Sequence, residues 1–380
     1  ASTDQDNGPY NFIINDASCT ARIRTALEVL NDMTVTAGTF NTHSNDGSAD
    51  KNLTVTGELY MGGGTLTCNA SDVIVRNIYG HAGTLSAPSN SSTNGLVITG
   101  KQPAGGLNNS NYSIYFISTT LTNNDGLIVL SADENTFIRM PQALGNFKVR
   151  NDGSSTTRVH EFTMNFECDH NLTLENGTLQ SYGATQTLTV GDDVLLTKGT
   201  LGRASNTSAY SLGSLTIAAD GIYLATSGTT TFTSTTGNYS IDNAGTFTHN
   251  NGTVKVDFET PNYNNHSRLK VNELFNLEVE MNRTSDYVYL QKVSGDTITI
   301  LGDLHMIKGD FEDHTNSDKY VIHGQTIIEA NARFGANTNW HTGDITHHGL
   351  VTINGGSYFR SDAGGTVKMG GIRNIGGSVL

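Results

Sequence analysis

A chain of 380 residues has room for two or three average domains or for one long repetitive one. Only 15% of the residues are charged and only 5 are Pro, while Gly reaches 42 and hydrophobic residues 36%, so neither a helical nor a disordered chain fits. The net charge of −14 (22 basic, 36 acidic) excludes a nucleic-acid backbone as partner, because that needs a basic face.

Residues 1–32 read as an N-terminal cap or attachment segment. Ile23, Leu27 and Leu30 have helical spacing, and Ser18 is placed to cap; Ile23, Thr25, Leu27 and Val29 alternate equally well as a strand. In either form the segment would cover the first of a series of coils, whose sheet edge is otherwise open. The chain opens on Ala1, not Met, and no signal peptide is visible, so the start is expected to be a processed or a designed terminus.

From residue 33 one phrase recurs: a short β-branched run, then Gly, then another run. Residues 33–84 carry it as LTVTGEL from Leu53; residues 166–380 carry LTLENGTL from Leu172, ITILGDL from Ile298 and VTINGG from Val351. A second phrase, Gly-Thr plus an apolar residue, recurs at Gly38, Gly64, Gly83, Gly177, Gly199, Gly245, Gly252 and Gly365. Alternation places the apolar residues, among them Leu174, Ile217, Ile300 and Ile353, on one face of each strand, and Gly and Asn serve the corners. The copies lie about 16 to 30 residues apart, as solenoid coils do. The expected fold is all-β, a right-handed parallel β-helix or β-solenoid with irregular coils, with a set of β-sandwich domains as its competitor. At ~22 residues and ~4.8 Å per coil, such a stack would extend on the order of 80 Å.

Residues 85–165 break the phrasing. They hold Pro88, Pro103 and Pro141 and longer runs at Tyr112–Ile117 and Gly126–Leu130. This section reads either as wider coils with long corner loops or as an inserted β-domain.

The wording of SLTIAADGIYLATSGTTTF from Ser214, GTFTHNNGTV from Gly245, LFNLEV from Leu274 and ITILGDL from Ile298 resembles the repetitive fibre-like or surface-exposed virion structural proteins of marine tailed phages, cyanophages especially. The resemblance covers about residues 165–380, with an echo at 33–67. It implies a structural or attachment role at a particle or cell surface and transfers no catalytic residue. The expectation is a non-enzymatic virion structural protein, a fibre or capsid decoration at the virion surface that holds host glycans. A secreted bacterial adhesin or extracellular filament subunit is the alternative, and a tailspike polysaccharide depolymerase the third reading. The expected partners are other virion structural proteins and host glycans. Homotrimerisation is expected as well, with the stretch Val367–Leu380 buried in the trimer or against another structural protein.

Glycoside hydrolysis needs two carboxylates roughly 5 to 10 Å apart across a sugar. Acidic groups cluster at Asp133-Glu134, at Asp192-Asp193 and at DFEDH from Asp310. Adjacent carboxylates on a strand point to opposite faces, whereas Asp310, Glu312 and His314 alternate and are the best enzymatic candidates. No cleavage is expected to depend on Asp310, Glu312 or Asp313.

The histidines thicken toward the C-terminus (His305, His314, His323, His341, His347, His348), where stacking of coils would align them as a metal ladder, but no HxH or HxxxH supports this. Asn45–Asp50 is a turn-like oxygen-rich loop without calcium-motif spacing. No phosphate loop, dinucleotide fingerprint or nucleophile elbow is present, so neither cofactor nor metal is expected. Cys19, Cys68 and Cys168 are odd in number and widely spaced, and read as small, partly buried side chains. No apolar run approaches the ~18 residues of a membrane-spanning helix.

Tyr60, Tyr79, Tyr112 and further rings are numerous enough to form sugar-stacking platforms, although packing between coils is their default role. Trp340, with Asn339 and His341 beside it in a polar, loop-like context, is the expected glycan contact.

Overall fold

Apolar and Thr positions alternate within each short run, and each run pairs in parallel with the run one coil away. The computed structural model describes residues 8–44, 49–103, 111–151, 157–235, 238–258, 266–313, 319–335, 343–358 and 365–379. The chain is all-β, with no helix among the described residues, and its strands stack as a β-solenoid. Two compact units divide it: residues 1–190 with 198–201, and residues 191–197 with 202–380.

In the first unit one inward column runs Val29, Val55, Val75, Ile98, Leu130, Val149, Leu174, each residue in register with the next. All seven are at most 1% exposed. The column crosses the 85–165 section without interruption, because Ile98 pairs with Leu130 and Leu130 with Val149 in parallel. The described strands of that section are therefore coils of the solenoid, and Pro103 lies between strands. The second unit repeats the device with Leu212, Phe232, Val256, Val279, Met306, Ile328 and Ile353, again in register and fully buried. Burying such side chains contributes roughly 1.5–3 kcal/mol each, so the columns are the main source of stability. Leu174, Ile217, Ile300 and Ile353, the expected inward residues, are 0–1% exposed.

The Gly-Thr phrase turns out to be a register mark. Thr39, Thr65, Thr84 and Thr120 stack on one another, with Phe40, Leu66, Leu85 and Leu121 beside them. The Gly before Thr39, Thr65 and Thr84 lets neighbouring coils come close: at Gly83 the backbone has φ +85°, and a Cβ would sit 2.2 Å from the carbonyl oxygen of Gly64. Asparagines pair between coils as well, Asn69 Nδ2 donating to Asn41 Oδ1 at 2.7 Å and Asn171 Nδ2 to Asn146 Oδ1 at 3.0 Å.

The N-terminal segment is strand, not helix. Phe12–Arg22 pairs in parallel with Met33–Asn41, with register shifts between Ile14 and Thr20. There Asp16 Oδ1 accepts from the Ser18 amide (2.8 Å) and hydroxyl (2.7 Å), so Ser18 stabilises a bulge and caps no helix.

Candidate functional site

The expected carboxylate face exists on strand Leu304–Asp313 of the second unit. Phe311 points inward and stacks on Phe334 at 4.9 Å and 7°, and Phe334 stacks on Tyr358 at 4.9 Å and 10°. Asp310 and Glu312, on either side of Phe311, consequently share the outward face. One coil back Tyr287 stands opposite Asp310 and Tyr289 opposite Glu312; one coil forward Arg333 stands opposite Asp310.

This arrangement closes the site. Arg333 grips Asp310 through both oxygens, Nε to Oδ1 at 2.6 Å and Nη2 to Oδ2 at 2.5 Å. Its Nη2 also donates to the Thr284 carbonyl at 3.3 Å, drawing the 283–286 corner over the carboxylate. Asp310 is left 2% exposed. Burial pushes its pKa up to about 6, against the opposing pull of Arg333. Burial, and then the charge of Asp310, pushes Glu312 up to about 7. Tyr289 is raised too, by burial first and then by its bonding with Tyr287 and the charge of Glu312.

A glycosidase places its nucleophile or base where a sugar or water can reach it. Asp310 has both oxygens occupied and is shut from solvent. Glu312 carries a proton near neutrality, as a general acid does, but faces no accessible second carboxylate in Asp310. His314 and the side chain of Asp313 lie outside the described residues.

The other acidic candidates bind neighbouring coils. Asp133 pairs with Arg158 at 3.1 Å and Glu134 with Lys101 at 3.6 Å, while Asp193 accepts from Ser214 Oγ at 2.7 Å. Among the described histidines, His323 and His348 stack at 4.8 Å, and His305 lies 3.4 Å from Glu329. No group of three His, Cys, Asp or Glu among the described residues is arranged to hold a metal ion. His347 is buried, Nδ1 against Thr326 Oγ1 (2.8 Å) and Nε2 against Tyr358 OH (3.2 Å), and burial lowers it to about 4. His160 in the first unit has the same construction, with Thr136 Oγ1 at 2.9 Å and Asn151 Oδ1 at 3.1 Å, and is likewise lowered to about 4. Its role as a core group was not apparent in the sequence, where only the C-terminal histidines attract notice.

Trp340, Asn339 and His341 lie outside the described residues, as do His314 and residues 45–48 of the Asn45–Asp50 loop. Asp50 itself pairs with His43 Nδ1 at 2.7 Å. In the first unit the structure also assembles a series of rings. Tyr60, Tyr79, Tyr115, Tyr112, Phe137 and Tyr182 form one continuous series, with successive centroids 4.7–5.5 Å apart. Arg139 lies over Tyr115 at 5.7 Å. Neither a family model, nor a curated protein, nor a solved structure matches the chain.

Proposed function

We propose that the chain is a non-enzymatic structural protein, displayed at a virion surface as a fibre or capsid decoration, where it meets host glycans. The observation that carries this reading is where the outward carboxylates go. Several of them bridge to cations of the neighbouring coil: Asp310 to Arg333 at 2.5 Å, Glu175 to Lys148 at 2.7 Å, and Glu280 to Lys255 at 2.7 Å. Such pairing ties coil to coil on the outside as the apolar columns do on the inside. The fold by itself hosts adhesins and depolymerases equally well, so the argument rests on these groups. The wording of residues 165–380 supplies the virion part of the proposal. Assembly as a homotrimer, or against other virion structural proteins, would multiply weak glycan contacts.

Mass spectrometry of purified particles tests the proposal. Peptides of this chain co-purifying with a major capsid protein are expected. Peptides confined to a cell-surface or secreted fraction would move the chain to the adhesin class. Polysaccharide shortened by the pure protein, and not by its Glu312→Gln variant, would make it a depolymerase.

A further inference from the structure

Four consecutive coils of the first unit present a groove that the preceding argument leaves unused. Its floor is a column of outward side chains held in register: Phe137 opposite Glu161 and Glu161 opposite Gln180. Lys101, Asn111 and Asn135 form the rim, and the cavity measures about 410 Å³, within the roughly 300–1,000 Å³ of small-ligand sites.

Phe137, Glu161, Gln180, Lys101 and Asn135 are positioned before any ligand arrives. The half-buried Phe137 ring is braced by Tyr112 at 5.5 Å and by Tyr182 edge-on at 5.4 Å and 85°. Gln180 Nε2 donates to Glu161 Oε1 at 2.7 Å, which fixes the orientation of the amide and the carboxylate together. Lys101 Nζ donates to the Asn135 carbonyl at 3.3 Å, and the Asn135 side chain accepts from the Val159 amide at 3.0 Å. Little side-chain freedom remains to be lost on binding, which favours affinity.

The chemistry selects the ligand class. An aromatic ring covers the C–H face of a pyranose, and planar amides and carboxylates beside it receive the hydroxyls in pairs. Lys101 is offset by Glu134 at 3.6 Å, and Glu161 adds negative charge, so an anionic ligand is disfavoured. A purely apolar ligand would leave the amides and the carboxylate desolvated without partners. We propose that this groove binds a neutral pyranose of an oligosaccharide, its apolar face on Phe137 and its hydroxyls on Glu161, Gln180 and the Asn111 and Asn135 side chains. The inference rests on the proposal that the chain meets glycans, and it places a contact in the first unit, away from Asn339, Trp340 and His341.

The test is affinity electrophoresis of the full chain through gels cast with dextran, mannan, galactomannan or alginate. At least one of the three neutral polymers is expected to retard the protein, and alginate is not. Phe137→Ala and Gln180→Ala are each expected to weaken the retardation constant about tenfold or more at unchanged melting temperature. If Phe137→Ala fails to fold, Glu161→Gln, which keeps the shape of the column, is expected to weaken retardation and so decides the matter. Retardation by no neutral polymer, or retardation indifferent to all three variants, overturns the site. Retardation lost in Trp340→Ala but kept in the groove variants also overturns it, while leaving the glycan reading intact. Groove-dependent retardation accompanied by shortened polymer supports the site and overturns the non-enzymatic reading.

Discussion

The two units are alike inside and unlike outside. Each has an in-register column of seven buried apolar residues, from Val29 to Leu174 in one and from Leu212 to Ile353 in the other. Outside, the first unit sets a series of rings in contact, from Tyr60 to Tyr182, beside single ion pairs such as Lys148 with Glu175, whereas the second gathers several carboxylates about one cation. There Lys255 lies within 2.7–3.4 Å of Asp257, Glu278 and Glu280, and Arg333 grips Asp310. Coil stacking constrains only the inward positions of each strand, because a wrong residue there is buried on every side. The outward positions are free to vary, so function is to be sought on the exterior and is expected to differ between the units.

The strongest way to break the comparison is to charge one column at a time. Ile300 is 1% exposed and in register with Leu274 and Ile322; Leu174 is fully buried beneath Val149. Ile300→Asp and Leu174→Asp each bury an unpaired carboxylate and should cost about 5 kcal/mol or more, seen as a collapsed denaturant midpoint. Equal losses would support equivalent interiors. A mild effect in either would show that the residue does not sit in apolar core.

Removing the outward cation should separate the units. Arg333→Leu strands the buried carboxylate of Asp310 and is expected to cost about 3–5 kcal/mol above pH 6, recovered largely by Asp310→Asn in the same background. The loss should shrink as the pH falls and Asp310 takes up its proton. Arg139→Leu in the first unit removes only a cation over the Tyr115 ring at 5.7 Å, and about 1 kcal/mol is expected. Chemical denaturation of the three variants at two pH values checks both statements.

Acid titration sharpens the contrast. His160 and His347 are held near pKa 4 by burial, below the ordinary 6.5, so the unfolded chain binds their protons more readily. The stability they confer is complete above about pH 6.5 and is lost as the pH falls toward 4, roughly 3 kcal/mol for each. Asp310 and Glu312 carry the opposite sign: raised to about 6 and about 7, they bind protons more readily when folded, so stability grows as the pH falls through that range. The second unit therefore offsets the cost of its histidine. Glu312→Gln should steepen the fall of the melting temperature with acid, and His160→Gln should flatten it. No change in slope for either variant would count against these burial effects.

Much of the interior could be read from the sequence. The Thr alternation of LTVTGEL and LTLENGTL set the inward residues, and the Gly-Thr phrase marked positions that stack, as Thr39, Thr65 and Thr84 do. The exterior could not be read, because its contacts join residues one coil apart and coil length varies with each corner. Phe137, Glu161 and Gln180 form one column only after those corners are known. The shared face of Asp310 and Glu312 follows from alternation alone. Its closure does not, since Arg333 and the 283–286 corner arrive from other coils. The expected contact at Trp340, with Asn339 and His341, falls outside the described residues, so the aromatic reading is carried by Phe137.

The smallest expected effect concerns Lys255, and it separates an ion-pair network from an isolated buried pair. Its ammonium has three acidic neighbours, Asp257 at 2.8 Å, Glu278 at 3.4 Å and Glu280 at 2.7 Å. Burial lowers its pKa, but the bonds and charges of Asp257 and Glu280 outweigh that and hold it above the ordinary value. Unlike Asp310, these carboxylates keep 24–40% of their side-chain surface in water, so losing the cation exposes them to repulsion and not to desolvation. Lys255→Gln should therefore cost about 1 kcal/mol or less at low salt. The cost should fade near 1 M salt, where the screening length drops to about 3 Å. Arg333→Leu should keep most of its cost at the same salt, because a desolvation penalty is not screened by ions. Denaturation of both variants at low and high salt measures the two slopes. If Lys255→Gln proves as costly and as salt-independent as Arg333→Leu, the second unit's exterior is a buried polar structure and not a solvated ionic surface.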